Sequence, residues 1–312
     1  MTARLDPLEV RRQLRAAGIQ ARHSYSQNFL ADPAVLQAIL DEAAPALGRR
    51  ILEIGPGLGI LTGGLLAAGA VVTAVEIDRG LAARLRRVQA AAVELHERLP
   101  GAPGSLHLVE EDFLDRTPAD LVVPPYDVVA NLPYHITSPV LHLLLGAPPR
   151  PGRAVLMVQR EVADRLAAPP GGLSYLSVFV QYQARVRLAF TVPREAFEPA
   201  PAVESAVIVL EPRPDDDPGR IAPAAEDDLW RLVQAGFRER RKMLHNVLAR
   251  QLPLPRATVE AALAATGIDG ARRPQTLGMT DWIALLGAVG PLPPDPRGRR
   301  AEPRGAAVEP EP

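Results

Sequence analysis

The sequence of 312 residues contains no cysteine, which excludes disulfide bonds, thiolate zinc sites and cysteine nucleophiles. Its six histidines form no close ligand pair, so we do not expect a catalytic metal. No apolar run approaches the roughly 18–20 residues of a membrane span. The N-terminus carries charges where a secretory signal needs an apolar stretch, and we therefore expect a cytoplasmic protein.

Positive and negative charges nearly balance, since the sequence has 35 Lys and Arg and 36 Asp and Glu, for a net charge of −1. That total argues against a nucleic-acid partner, but the distribution is uneven. The N-terminal 30 residues have a net charge of +3, and residues 231–250 have one of +5. Such a run is either a solvated face or a track for RNA phosphates. The candidate RNA contacts are Arg238, Arg240, Arg241 and Lys242.

Short β-rich runs alternate with longer amphipathic segments, which predicts a parallel sheet covered by helices. The first runs lack strict alternation, as expected for strands buried on both faces. The predicted strands are 50–54, 71–77, 105–111, 126–132, 154–159, 185–190 and 206–211. The predicted helices between them are 58–69, 79–99, 138–145 and 172–183.

The pattern changes after Leu210, where a Pro- and Asp-rich linker leads into helical segments without strands. Helices are predicted at 226–251, 256–266 and 280–288. We therefore expect an α/β domain at 1–212, with an N-terminal extension at 1–25, and a helical domain at 221–290. The Pro-rich tail, 291–312, is expected to be disordered.

A glycine loop follows the first predicted strand, in the segment LEIGPGLGILT. Gly55, Gly57 and Gly59 allow a sharp turn and a close approach of a ligand to the backbone, beside a helix N-terminus. A dinucleotide-binding enzyme is the alternative, but its fingerprint places glycine or alanine where this chain has Ile60. Taken by itself, the loop also fits a glycine turn with a purely structural role.

Acidic residues surround this loop. Glu53 precedes it directly, which would repel a pyrophosphate but suits a ligand with an ammonium and a sulfonium group, such as S-adenosylmethionine. Glu76, at the end of the next strand, can accept hydrogen bonds from ribose hydroxyls. Asp112, after the third strand, is a candidate acceptor for an adenine amine, although an acidic cluster there is often only a solvated turn.

The fourth strand ends in the tetrapeptide Asn131-Leu132-Pro133-Tyr134. The Asn131 side-chain oxygen and the Leu132 carbonyl can accept both N–H groups of an exocyclic adenine amine and bias it toward a nucleophilic, tetrahedral form. Pro133 stiffens the turn, and Tyr134 offers a ring for base stacking. The chemistry would be direct methyl transfer driven by alignment, without a metal or covalent intermediate.

Eight segments together, in order and spacing, resemble one family over about residues 20–280. It is the bacterial small-subunit ribosomal RNA adenine N(6)-dimethyltransferases. The segments are SQNFL, LEIGPGLGILT, VEID, EDFL, NLPYHITSPVL, MVQREVADRL, FEPAPAVESAVIVL and FRERRKMLHNVL.

The resemblance implies a Rossmann-like class I S-adenosylmethionine-dependent methyltransferase fold, a seven-stranded mostly parallel sheet with a small all-helical C-terminal domain. It implies cofactor contacts at Asn28, Leu30, Gly55, Glu76, Asp112 and Asn131, with Gly57 in the same loop. Phe197 would be a second aromatic wall of the target pocket, or else a core residue that anchors a Pro-rich loop. The implied substrate is a pair of adjacent adenosines in the 3′-terminal hairpin loop of 16S rRNA in a pre-30S subunit. We expect a monomeric enzyme.

One departure keeps an alternative open. The family has Lys-x-x-Gly before Gln27, where this chain has His23-Ser24-Tyr25-Ser26. Serine at this place also occurs in the related large-subunit (23S) rRNA adenine methyltransferases that confer macrolide resistance. The NLPY form and the RRKML run favour the small-subunit branch. A non-catalytic nucleic-acid-binding assembly or transcription factor on the same fold is a further alternative.

Overall fold

The computed structural model describes residues 7–16 and 28–294. The segment His23–Gln27 and nearly all of the tail therefore lie outside the described residues. The chain divides into two compact units, Met1–Ala163 with Val186–Pro212 and Asp164–Arg185 with Arg213–Pro312. This division differs from the boundary expected at residue 212, because residues 164–185 group with the C-terminal helices.

Nine strands form two sheets in the described part of the chain. They are β1 (Phe29–Leu30), β2 (Arg50–Ile54), β3 (Val71–Val75), β4 (Leu106–Val109), β5 (Asp127–Asn131), β6 (Ala154–Gln159), β7 (Ala184–Val192), β8 (Phe197–Glu198) and β9 (Ser205–Pro212). The seven-stranded sheet has the order β4-β3-β2-β5-β6-β9-β7, and β1 pairs with β8 in a separate antiparallel ribbon.

The chain reverses the direction of strand addition at the centre of the large sheet. β3 and β4 add on one side of β2, and β5 and β6 add on the other, all in parallel. β9 runs antiparallel to β6. The predicted seven-stranded, mostly parallel sheet is thus confirmed, and the loops that follow β2 and β5 leave the same edge side by side. Ligands of open α/β sheets bind at such a reversal point.

Among the described residues, one helix precedes these strands and eight lie between them. They are α1 (Pro7–Ala16), α2 (Pro33–Ala43), α3 (Ile60–Ala67), α4 (Arg79–Val88), α5 (Ala90–Arg98), α6 (Pro118–Leu121), α7 (Thr137–Leu145), α8 (Arg160–Leu166) and α9 (Tyr175–Gln183). Every residue of β3 is buried, which explains why its sequence does not alternate. The predicted helix 79–99 is two helices, because Gln89 leaves the helical region at φ −108° and ψ 28°.

The C-terminal helices are α10 (Pro223–Phe237), α11 (Leu244–Gln251), α12 (Arg256–Ala265) and α13 (Met279–Val289). A single helix at 226–251 is therefore wrong. A helix continued past Phe237 would carry Arg240 and Arg241 onto the face that buries Val233 and Phe237. Burying these charges without partners is costly, so the chain turns and places them in an exposed loop, residues 238–243.

Two tryptophans fill the core of the helical unit. Trp230 packs edge-on against Tyr182 with ring centroids 5.3 Å apart, and Trp282, fully buried, lies 6.0 Å from the ring of Phe237. Residues 291–294, the first four of the tail expected to be disordered, are described, and two of them are hydrogen-bonded to the helical unit. The backbone N–H of Leu292 donates to Asp228, and Arg231 donates to the carbonyls of Leu292 and Pro293.

No helix in the described ranges has both the length and the hydropathy needed to cross a membrane.

Gly236 gives a test of this core. A Cβ added there would lie 2.4 Å from Cη2 of the buried Trp282 ring, so Gly236→Ala should destabilise the protein by about 1–3 kcal/mol through overpacking. Gly287 is the matched control, since it is also helical and a Cβ there meets nothing within 4 Å. Gly287→Ala should be neutral or stabilising by up to about 1 kcal/mol. Urea unfolding of both variants measures the difference, and equal effects would contradict the packing.

Candidate functional site

A cavity opens at the carboxyl edge of the sheet, where the loops after β2, β3, β4 and β5 meet β1. It brings together all the predicted cofactor and chemistry residues except Phe197. Those that line it are Asn28, Leu30, Gly55, Gly57, Glu76, Asp112, Asn131, Leu132, Pro133 and Tyr134. Residues far apart in the sequence thus share one site because parallel strands end at the same edge.

The glycine loop forms one wall of the cavity. Gly57 has a φ of 57°, a left-handed conformation that favours glycine. A Cβ at Gly57 would also lie 3.2 Å from the ring of Phe29, another lining residue. The loop therefore lies tightly against β1, and its residues 55–58 line the cavity.

Glu76 fixes this loop to the end of β3. One carboxylate oxygen accepts the N–H of Gly57 at 3.0 Å, and the other accepts the N–H of Asp78 at 2.9 Å. The side chain is buried, and burial raises the pKa of its carboxyl. Each carboxylate oxygen can accept more than one hydrogen bond, so Glu76 can hold the loop and still accept from a ligand.

Glu53 is the most unusual electrostatic feature of the cavity. It lies on β2 between Ala74 and Val129 of the neighbouring strands, and it is only 1% exposed. Its Oε2 has no hydrogen-bond partner within the described protein. Burial, assisted by the nearby charge of Glu76, raises the pKa of the Glu53 carboxyl to about 8. A carboxyl of this kind suits a cationic ligand.

Asp112 and Ile77 lie on the side of the cavity formed by β3 and β4. Asp112 is half-buried, and its Oδ1 accepts the N–H of Leu114 at 2.9 Å, which caps a short 3₁₀ turn. Ile77 lines the same cavity and is 47% exposed. Sequence reasoning missed Ile77. The available signal was an apolar residue between two acids after a buried strand.

Asn131 ends β5 with its side chain held in a defined orientation. Its Nδ2 donates to the backbone carbonyl of Asn28 at 3.3 Å, which leaves Oδ1 as the acceptor of the carboxamide. The N–H of Leu132 donates to the carbonyl of Met157 at 3.1 Å and fixes the start of the turn. This arrangement can present an oxygen acceptor to a planar amine.

Tyr134 is held by a residue that sequence reasoning did not single out. Its hydroxyl lies 2.8 Å from Oγ of Ser205, at the start of β9. Ser205 is fully buried, and burial raises the pKa of the Tyr134 hydroxyl. The hydrogen bond fixes one end of a ring that lines the cavity. The only sequence signal was that Ser205 lies in the segment FEPAPAVESAVIVL.

The structure does not bring Phe197 to the cavity. Phe197 lies on β8 opposite Leu30 of β1, is 2% exposed, and packs in the main hydrophobic core. This corrects the expectation of a second aromatic wall in favour of the core reading. The ribbon pairing turns the ring into the core because burial of a large apolar side chain is favourable.

The predicted RNA contacts lie in the helical unit. Arg238, Arg240, Arg241 and Lys242 are all exposed in the loop after α10. Two other basic residues of the run form ion pairs, Arg231 with Asp228 at 2.8 Å and Arg250 with Glu239 at 2.7 Å. The four candidate contacts are thus exposed side by side in one loop rather than spread along a helix.

No cluster of three or more His, Asp or Glu side chains within residues 7–16 and 28–294 could hold a metal ion.

The chain is similar to known proteins over most of its length. A family model described as ribosomal RNA adenine dimethylase matches residues 18–285. A protein from Anaeromyxobacter sp. (strain K), named ribosomal RNA small subunit methyltransferase A, is 42% identical over 87% of this chain and 94% of its own. A protein of the same name from Synechococcus sp. (strain JA-3-3Ab) is 44% identical over 85% of this chain and 91% of its own.

Two solved structures are similar in fold and sequence. The 23S rRNA methyltransferase ErmE has a TM-score of 0.64 and 29% identity, covering 84% of this chain and 99% of its own. A dimethyladenosine transferase from Plasmodium falciparum has a TM-score of 0.65 and 25% identity, covering 83% of this chain and 96% of its own. The fold alone therefore does not separate these two kinds of enzyme.

The raised pKa of the buried Glu53 carboxyl predicts that replacing Glu53 with a neutral residue stabilises the protein to a degree that depends on pH. A carboxyl whose pKa is raised on folding contributes stability below its unfolded value near 4.5, and that contribution is lost as the pH rises toward 8. Glu53→Gln should therefore stabilise the ligand-free protein more at pH 8 than at pH 5, by about 2–4 kcal/mol. Chemical unfolding at both pH values, with the exposed Glu97→Gln as control, measures this difference. An equal effect at both pH values would show that Glu53 ionises normally.

Proposed function

The chain belongs to the ribosomal RNA adenine dimethylase family, and on that premise we propose that it is an S-adenosylmethionine-dependent enzyme that dimethylates two adjacent adenosines. They lie in the 3′-terminal hairpin loop of 16S rRNA in the assembling small ribosomal subunit. The observation that carries the proposal is the shared cavity, in which the glycine loop, Glu53 and Glu76 lie beside the Asn131–Tyr134 turn.

The residues of the cavity fit S-adenosylmethionine. The unpartnered Oε2 of Glu53 suits the positive charge of an amino-acid ammonium or a sulfonium group. Glu76 and Asp112 supply carboxylate acceptors for ribose hydroxyls and an adenine amine, and Ile77 supplies an apolar wall for a ring. Asn28, whose carbonyl accepts from Asn131, lines the same cavity as Leu30. When bound, this cofactor supplies a methyl group on a positively charged sulfur.

The Asn131–Tyr134 turn would then prepare the nucleophile. An adenine amine is weakly nucleophilic because its lone pair is delocalised into the ring. Oδ1 of Asn131 and the carbonyl of Leu132 would accept its N–H groups, which would favour a tetrahedral nitrogen whose lone pair can act as a nucleophile. The Tyr134 ring, held through Ser205, stacks on the base. Alignment in a partly enclosed cavity supplies the rate enhancement.

The RNA would bind in part through the exposed basic loop formed by residues 238–243. Its positive charges suit backbone phosphates, so the affinity should fall as the salt concentration rises. The target adenine must leave its stack, because its amine is otherwise inaccessible to the cavity. We propose a monomeric enzyme that acts in the cytoplasm on a partly assembled subunit.

The sequence similarities favour the small-subunit substrate over the large-subunit alternative. Curated relatives named for the small subunit are 37–44% identical to this chain, whereas ErmE is 29% identical. The acceptors and carboxylates of the cavity favour an enzyme over a non-catalytic binding factor, which has no need of an oriented Asn131 or a buried Glu53.

Methylation of isolated subunits tests this function. The purified protein with S-adenosylmethionine should form dimethyladenosine in unmethylated small subunits and not in large subunits. Mass spectrometry of nucleosides and of RNA fragments identifies the product and its position. Methylation confined to 23S rRNA would overturn the assignment in favour of the large-subunit branch, and no methylation of either would favour the binding factor.

Asn131→Ala tests the role of the oriented carboxamide. Loss of one acceptor should lower kcat by about 100-fold or more. The cofactor Kd, measured by calorimetry, should change less than the rate does, since several other residues hold the cofactor. Asn246→Ala, a change outside the cavity, is the control. A kcat of Asn131→Ala equal to that of the wild type would show that Asn131 takes no part in the methyl transfer.

A further inference from the structure

The N-terminal helix α1 packs against the outer side of the cavity wall. Val10 is 1% exposed and Leu14 is 8% exposed, and both lie in one apolar cluster with residues of that wall. These shared residues, which line the cavity on their other side, are Phe29, Leu58 and Leu81. The position of the wall thus depends on a helix that contributes no residue to the cavity itself.

A single guanidinium group connects α1 to the glycine loop. Arg84 of α4 donates from Nη1 to the carbonyl of Leu58 and from Nη2 to Oε1 of Gln13, each at 2.6 Å. Arg84 is half-buried, whereas its neighbour Arg87 is exposed. The planar guanidinium holds two acceptors in a fixed relation, so Gln13 and the glycine loop keep a defined spacing.

A second contact connects α1 to the ribbon of β1 and β8. Arg11 donates to the carboxylate of Glu198 at 2.6 Å. Glu198 pairs in the ribbon with Phe29, whose ring lies against Gly57. The residue before Phe29 is Asn28, whose carbonyl holds the Asn131 side chain. Helix α1 is therefore connected to the glycine loop through Arg84, and to the strand next to Asn131 through Arg11 and Glu198.

We propose that α1 is a positioning element of the cofactor site, and that Arg84 is the positioning residue that transmits its docking to the glycine loop. This inference rests on the proposed use of S-adenosylmethionine. Docked α1 holds Leu58 and Phe29 in the arrangement that accepts the cofactor. By thermodynamic reciprocity, bound cofactor must favour the docked state of α1 to the same degree.

The test compares Arg84→Ala with the matched control Arg87→Ala on the same helix. Calorimetry with S-adenosylmethionine should give a Kd about tenfold higher for Arg84→Ala and within about twofold of the wild type for Arg87→Ala. The KM for the cofactor should rise with the Kd while kcat stays nearly constant. A lower melting temperature or a lower kcat with an unchanged Kd would mean that Arg84 is merely structural, which would overturn the proposal.

Amide hydrogen exchange supplies a second readout that does not depend on activity. Cofactor should slow exchange in residues 7–16 of the wild-type protein, and the slowing should be smaller in Gln13→Ala, which leaves Arg84 on the Leu58 carbonyl. An exchange rate in α1 that is the same with and without cofactor would also overturn the proposal. This result can be obtained even if Arg84→Ala does not fold. A wild-type protein that fails to bind S-adenosylmethionine would instead contradict the proposed function.

Discussion

The pairing of β5 with β2 is the constraint on which the site depends. Because the chain adds β3 and β4 on one side of β2 and then crosses to the other, the glycine loop and the Asn131 turn leave adjacent strands at the same edge. A different strand order would separate them by at least one strand spacing, about 5 Å. The cavity, the carboxyls that line it and the oriented carboxamide all follow from this one crossing.

That crossing also explains why the site contains a buried carboxyl whose Oε2 has no hydrogen-bond partner among the described residues. Glu53 is in the central strand, flanked by β3 and β5, so water has little access to it. Such a group is a cost to the folded protein in the absence of a ligand. In the proposed function, a cationic ligand offsets that cost, since a positive charge beside Glu53 favours its ionisation. The destabilising effect of the buried carboxyl and the proposed preference for a cation thus have the same origin.

The elements of the sheet and the residues at their ends could be predicted from the sequence, because glycines, acids and the NLPY turn follow strands at fixed spacing. Properties that depend on tertiary contacts could not. A phenylalanine at position 197 suits either a wall that stacks on a base or a hydrophobic core. Only the pairing of Phe197 with Leu30 decides between the two. The turn after Phe237 depended on which helix face is buried. Ser205 supports Tyr134 from 71 positions away in the sequence, and Arg84 supports the glycine loop from 26 positions away. No local sequence pattern indicates either contact.

Proton release on binding tests most directly whether the cavity binds a cation through an ionised Glu53. Calorimetric titration of S-adenosylmethionine at pH 7, in two buffers of different ionisation enthalpy, counts the protons. The wild-type protein should release between about half a proton and one proton, because Glu53 is mostly protonated before binding and ionised afterwards. Glu53→Gln should release almost none. The same proton count in both proteins would show that Glu53 does not ionise when the ligand binds.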